Sequence, residues 1–164
     1  MANKKIAIVP GSFDPITIGH VDIIKRASEM YDKVYVAVMI NSAKKYMFTI
    51  EQRKKISQSA VSDIPNVTVI SSEGMLWELA KSLGACAIVK GYRNEKDLAY
   101  EQEMAVFNRE HYPDAETVLL RSDDSLVDVS STLVREKILM RADLSALLPQ
   151  GAIDEIYKIV PRSI

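Results

Sequence analysis

The chain has 164 residues, 48% apolar and 26% charged, a make-up that fits a globular protein and excludes a disordered chain or a fibre. A formal net charge of −1 excludes general affinity for nucleic acid or anionic membrane, so any basic site must be local. At this length the expectation is one domain over residues 1–164, burying about 70% of the surface its unfolded chain exposes.

The first apolar run, Ile6 to Val9, reads as a strand; it is too short for a signal-peptide core and stops at Pro10. No stretch approaches the ~20 apolar residues of a membrane span, and a cytoplasmic location is expected. Gly11 to His20 then forms a tight loop into an amphipathic helix through Val21, Ile24, Ala27 and Tyr31, with His20 in its first turn. Val34 to Ile40 is a β-branched run expected to be buried on both faces. Asn41 to Phe48 is a polar loop, and Thr49 with Gln52 makes a capping box that opens a helix through about Val61. Val67 to Ile70 gives the third strand, and Met75 to Leu83 a helix ended by Gly84. Ala87 to Val89 gives the fourth strand, ending at Lys90-Gly91-Tyr92-Arg93; the lone Cys86 beside it reads as a small core residue. A long helix from Glu95 to about Tyr112 stops at Pro113. Thr117 to Leu120 is the fifth strand, Ser122 to Val129 a polar loop, Ser130 the cap of a helix to about Met140, and Ala152 to Ile159 a final helix. Five apolar strands alternating with helices predict an α/β fold: a doubly wound, five-stranded parallel sheet with helices on both faces.

In such a sheet the loops after the strands converge on one edge, where unpaired backbone N–H groups and helix dipoles favour an anion. Those loops carry Ser12 and His20, then Lys44, the segment near Leu76, Lys90 to Arg93, and Ser130 to Thr132. Two lysines, an arginine, a histidine and a run of hydroxyls suit a polyphosphate. Neither GxGxxG nor GxxxxGKS is present, which argues against the dinucleotide fingerprint and the P-loop. Gly11, Gly19 and Gly91 read as positions where backbone approaches a ligand closely. Glu101, taken alone, reads as a solvated helix carboxylate, and Lys44 and Lys45 as solvated lysines.

Gly11-Ser-Phe-Asp-Pro-Ile-Thr-Ile-Gly-His20 resembles the (T/H)xGH signature of the nucleotidyltransferase superfamily, with Thr17 in the first position, and Val129 to Arg135 (VSSTLVR) resembles its ISSTxxR-type second signature. Within the superfamily, PGSFDPITIGHVDII, SAKKYMFT, VKGYRNEKDLAYEQEMAVFNR and VSSTLVRE are similar to the bacterial phosphopantetheine adenylyltransferase family over nearly the full length. That resemblance implies a Rossmann-like nucleotidyltransferase fold and transfer of an adenylyl group from ATP, with Mg²⁺, to 4′-phosphopantetheine. It further implies a homohexamer, with coenzyme A a candidate inhibitor. His20 would stabilise the reacting phosphorus. Ser12, Lys44, Leu76 and Lys90 match acceptor-binding positions. Ser12, Phe13, His20, Gly91, Tyr92, Arg93, Glu101, Leu126, Val127, Asp128, Val129, Ser130, Ser131 and Thr132 match ATP contacts; no protein metal ligand is implied. Lys90 stands where the family commonly has arginine, and Leu126 where an aromatic is frequent. The alternatives are a nucleotidyltransferase with a nicotinamide mononucleotide or phospho-alcohol acceptor, and a non-catalytic ATP-binding module.

Overall fold

The computed structural model describes residues 4–161, so the expected span of 1–164 runs past the described residues at both ends. The elements are β1 (Ile6–Gly11), α1 (Ile18–Met30), β2 (Lys33–Met39), α2 (Ile50–Ala60), β3 (Val67–Ser72), α3 (Leu76–Leu83), β4 (Ala87–Tyr92), α4 (Glu95–His111), β5 (Glu116–Arg121), a 3₁₀ turn (Asp124–Leu126), α5 (Ser131–Leu139) and α6 (Gln150–Ile159). The strands form one parallel sheet in the order β3-β2-β1-β4-β5, so the α/β expectation holds. No helix among the described residues is long and apolar enough to cross a membrane.

Side chains alternate across a strand, and here both faces are apolar. Ala7, Val9, Val34, Val36, Val38, Ala87 and Val89 pack with residues of α1, α2, α5 and α6, among them Ile24, Ile56, Val134 and Ile156. Ile8, Ala37 and Ile88 face the other way, toward Ala80 of α3 and Ala115. Cys86 is only partly buried and packs at the margin of the larger cluster. Helix ends follow local chemistry: Thr49 and Gln52 cap each other's backbone N–H groups, and Gly84 closes α3 at φ 65°.

Several strands outrun the sequence expectation, and β4 and β1 do so where it shapes the sheet edge. β4 continues through Lys90, Gly91 and Tyr92, because its ladder with β5 runs on to Gly91↔Leu120 and Tyr92↔Arg121; the polar residues hide this from any hydrophobic pattern. β1 continues to Gly11 on its β2 side, but toward β4 it pairs only at Ala7↔Ala87 and Ile8↔Ile88. Pro10 brings no N–H to a ladder. The two central strands therefore part beyond Ile8, and a crevice opens between their carboxyl ends, where the strand order reverses.

Candidate active site

A cavity of about 630 Å³ occupies that crevice. Its walls come from the end of β1 and the following loop, the first turns of α1, the β2–α2 loop, the end of β4, and the start of α5. Lys44, Lys45, Lys90, Arg93 and Arg135 line it, against the carboxylates of Asp14 and Asp97. Both carboxylates are occupied. Asp14 accepts from the Met47 and Phe48 N–H groups at 2.9 and 3.0 Å, and Asp97 accepts from the backbone N–H and Nε of Arg93 at 3.2 and 3.3 Å. The cavity is thus positive, and an anion is its natural occupant.

His20 is the third residue of α1, and its ring completes a capping box with Thr17. The Thr17 N–H donates to His20 Nδ1 at 3.0 Å, while the His20 N–H donates to Thr17 Oγ1 at 3.3 Å. A backbone N–H can only donate, so Nδ1 is unprotonated and the neutral ring carries its hydrogen on Nε2. The ring keeps some accessible surface where it lines the cavity, and Phe13 packs edge-on against it at 5.1 Å between centroids. Burial, and then the Arg93 guanidinium, hold its pKa down at about 4. At neutral pH His20 is therefore an uncharged donor.

The cavity loops are tied to one another. Arg135 Nη1 donates to the Asp14 carbonyl at 2.8 Å, and Ser131 Oγ donates to the Pro15 carbonyl at 2.8 Å. Ser130 caps α5 by accepting from the Leu133 N–H at 3.1 Å. Asp14 thus joins the loop that carries Lys44 to the start of α5. Nothing in the hydrophobic pattern singles Asp14 out, because its partners lie 33 and 121 residues away.

The family model for cytidylyltransferase-like proteins matches residues 8–137. The chain is 44% identical to the phosphopantetheine adenylyltransferase of Streptococcus gordonii, over 95% of this chain and 96% of that one. It is 43% identical to that of Caldanaerobacter subterraneus subsp. tengcongensis, over 97% and 99% of the two chains. The chain belongs to the phosphopantetheine adenylyltransferase family. In shape it is similar to the solved structure of a Vibrio parahaemolyticus protein assigned as a nicotinate-nucleotide adenylyltransferase. That match has a TM-score of 0.70 at 18% identity and covers 95% of this chain and 93% of that one, and it supports the fold alone.

For a phosphopantetheine adenylyltransferase family member, the residues singled out by sequence fall into two groups. Ser12, Phe13, His20, Lys44, Lys90, Gly91, Arg93, Leu126, Val129, Ser130, Ser131 and Thr132 meet around the cavity. Leu76, Tyr92, Glu101, Val127 and Asp128 are not on its wall. Leu76 opens α3 and packs against the cluster on the far face of the sheet. Glu101 is not the solvated carboxylate its helix position suggests: it is 8% exposed, with Oε2 lying 2.8 Å from Lys90 Nζ but out of line for a hydrogen bond. Lys90 is correspondingly not a free charge at a strand end. Two glycines also differ from expectation, since protein rather than ligand fills the space their missing side chains leave. A Cβ at Gly91 would lie 2.9 Å from Ile23 Cγ1, and one at Gly11 would lie 3.1 Å from the Phe13 ring. Tyr46, Asp97, Ser122 and Arg135 are also on the wall.

Proposed function

We propose that this chain transfers the adenylyl group of ATP to 4′-phosphopantetheine, releasing pyrophosphate and forming dephospho-coenzyme A. The observation that carries this reading is 44% identity, over nearly the whole of both chains, to a phosphopantetheine adenylyltransferase. The cavity chemistry agrees with it. An oxygen of the acceptor phosphate, already anionic, attacks the α-phosphorus of ATP. The bond from that phosphorus to the bridging oxygen breaks, its electron pair leaves with pyrophosphate, and no proton need move. Positioning and charge stabilisation are then the whole task.

In this proposal Lys44, Lys90 and Ser12 hold the acceptor phosphate. Arg93, the backbone at Gly91 and the amino end of α5 from Ser130 to Thr132 hold the triphosphate. The Nε2–H of His20 donates to an α-phosphoryl oxygen as charge grows there. Phe13, whose side chain is buried, serves through its backbone, and Leu126 to Val129 flank the nucleoside. Leu76 is left for the distal part of the acceptor, Tyr92 for backbone contact, and Glu101 acts through Lys90. Among the described residues no three His, Cys, Asp or Glu side chains gather as a metal cage. An Mg²⁺ carried by phosphate oxygens and water would, when bound, neutralise charge on the leaving group. A cytoplasmic homohexamer inhibited by coenzyme A completes the proposal.

The test is pyrophosphate release by purified protein with ATP, Mg²⁺ and 4′-phosphopantetheine, beside nicotinamide mononucleotide, glycerol 3-phosphate with CTP, and no acceptor. Turnover confined to phosphopantetheine is expected. Turnover with another acceptor instead would move the roles of Lys44, Leu76 and Lys90, and ATP binding without any turnover would favour a non-catalytic nucleotide-binding module.

A further inference from the structure

Behind the cavity wall lies a charge that none of the expected roles uses. Arg53, on α2, is 1% exposed. Its Nη1 donates to the carbonyls of Ser12 at 2.7 Å and Met39 at 3.0 Å, and its Nε donates to that of Phe48 at 3.3 Å. The guanidinium also stacks over the Tyr46 ring, 3.9 Å from its centroid. Among the described residues no carboxylate lies within ion-pair distance of it. Arginine stays charged at any working pH, and a buried charge is costly unless something balances it. Three carbonyl dipoles do so only in part.

Ser12 and Tyr46, two of its partners, line the cavity, so the guanidinium sits one residue behind the phosphate-facing surface. We propose that Arg53 is a positioning residue whose unneutralised charge is balanced by the bound polyphosphate, while its fork fixes the two loops that carry Ser12 and Lys44. The inference rests on the reading of the cavity as a nucleotide phosphate site. The free protein tolerates the charge because the carbonyls of three separate segments converge on it. A polyphosphate in the cavity then meets a field that needs no rearrangement to act, in a medium that screens it less than water does.

Calorimetric binding of pyrophosphate without metal, alongside urea unfolding, separates charge from scaffold. Arg53→Lys keeps the charge and loses the fork; Arg53→Met keeps the bulk and loses the charge. The expected result is a pyrophosphate Kd within about threefold of the unaltered protein for Arg53→Lys and at least about tenfold weaker for Arg53→Met. Equal losses in both variants, or none in either, would overturn the proposal. Arg53→Gln replaces Arg53→Met if the latter does not fold. If neither neutral variant folds in buffer, both are measured beside the unaltered protein and Arg53→Lys in trimethylamine N-oxide, which favours the folded state, and are read by the same two outcomes. Absence of pyrophosphate binding by the unaltered protein would overturn both this inference and the phosphate-site reading beneath it.

Discussion

Single side chains in this site are set by what their neighbours leave them to do. Because the Thr17 N–H occupies Nδ1 of His20, the ring can offer only Nε2–H, and burial keeps it neutral. Replacing His20 with Asn should lower kcat by about 100-fold or more, the usual cost of a lost donor to a growing oxyanion, while ATP Kd changes far less; equal losses in both would argue against the role. The ring's NMR titration should have a midpoint near 4, and Arg93→Ala should raise it by removing the cation that disfavours imidazolium. The Lys90–Glu101 pair makes a second expectation. The Glu101 side chain is 10% exposed and that of Lys90 26%, so the lysine can turn toward water and the carboxylate cannot. Lys90→Met strands a buried charge and should cost about 3 kcal/mol of unfolding free energy, against about 1 for Glu101→Gln. The reverse order in urea titrations would mean that the carboxylate finds another partner.

At the scale of elements, the positions without a side chain show which contacts are adjustable. A methyl at Gly91 would strike Ile23, a side chain that can be shortened, whereas one at Gly151 would lie 2.8 Å from the Ser59 carbonyl oxygen, where α6 meets α2. Gly91→Ala should cost about 1–3 kcal/mol, and the double variant with Ile23→Ala should lose less than the sum of the two single costs, because that change removes both Cγ1 and Cδ1. Gly151→Ala should cost at least as much, with no side-chain substitution able to relieve it, because the obstacle is backbone; thermal unfolding of the single and double variants checks both. The same contrast explains what was legible locally. The helix caps at Thr49, Gly84 and Ser130 depend on neighbours three or four residues away, and each is where its sequence pattern predicts; Thr17 caps α1 by the same local chemistry. The carboxyl ends of β1 and β4 depend on ladders to β2 and β5, so Pro10 to Gly11 and Lys90 to Tyr92 looked like loop.

For the molecule as a whole, the depressed pKa of His20 becomes a stability term. Unfolded, the ring takes a proton near pH 6.5; folded, it does so only near 4, so between those values the unfolded chain binds more protons. Stability must therefore fall as pH drops from about 6.5 to about 4, by at most about 3 kcal/mol from this residue. His20→Asn should flatten that part of the stability curve; an unchanged slope would assign it to other groups. The cost belongs to the cavity, which the uncharged ring shares with five cationic side chains.

The element order, the parallel sheet and the helix caps at Thr49, Gly84 and Ser130 are legible in the residues alone. Each of these is written in contacts between near neighbours or in a simple apolar period. The parting of β1 from β4, the burial of Glu101 against Lys90, the Asp14 bridge from the Lys44 loop to α5 and the place of Arg53 beneath Ser12 emerge with the fold. The Arg53 case shows why. Arg53, Ile56, Ser57 and Ala60 share one buried stripe of α2 at helical spacing, so the pattern hinted that this arginine points inward. Two of its partners, however, lie 41 and 14 residues away, and separations that long can be closed only by the fold.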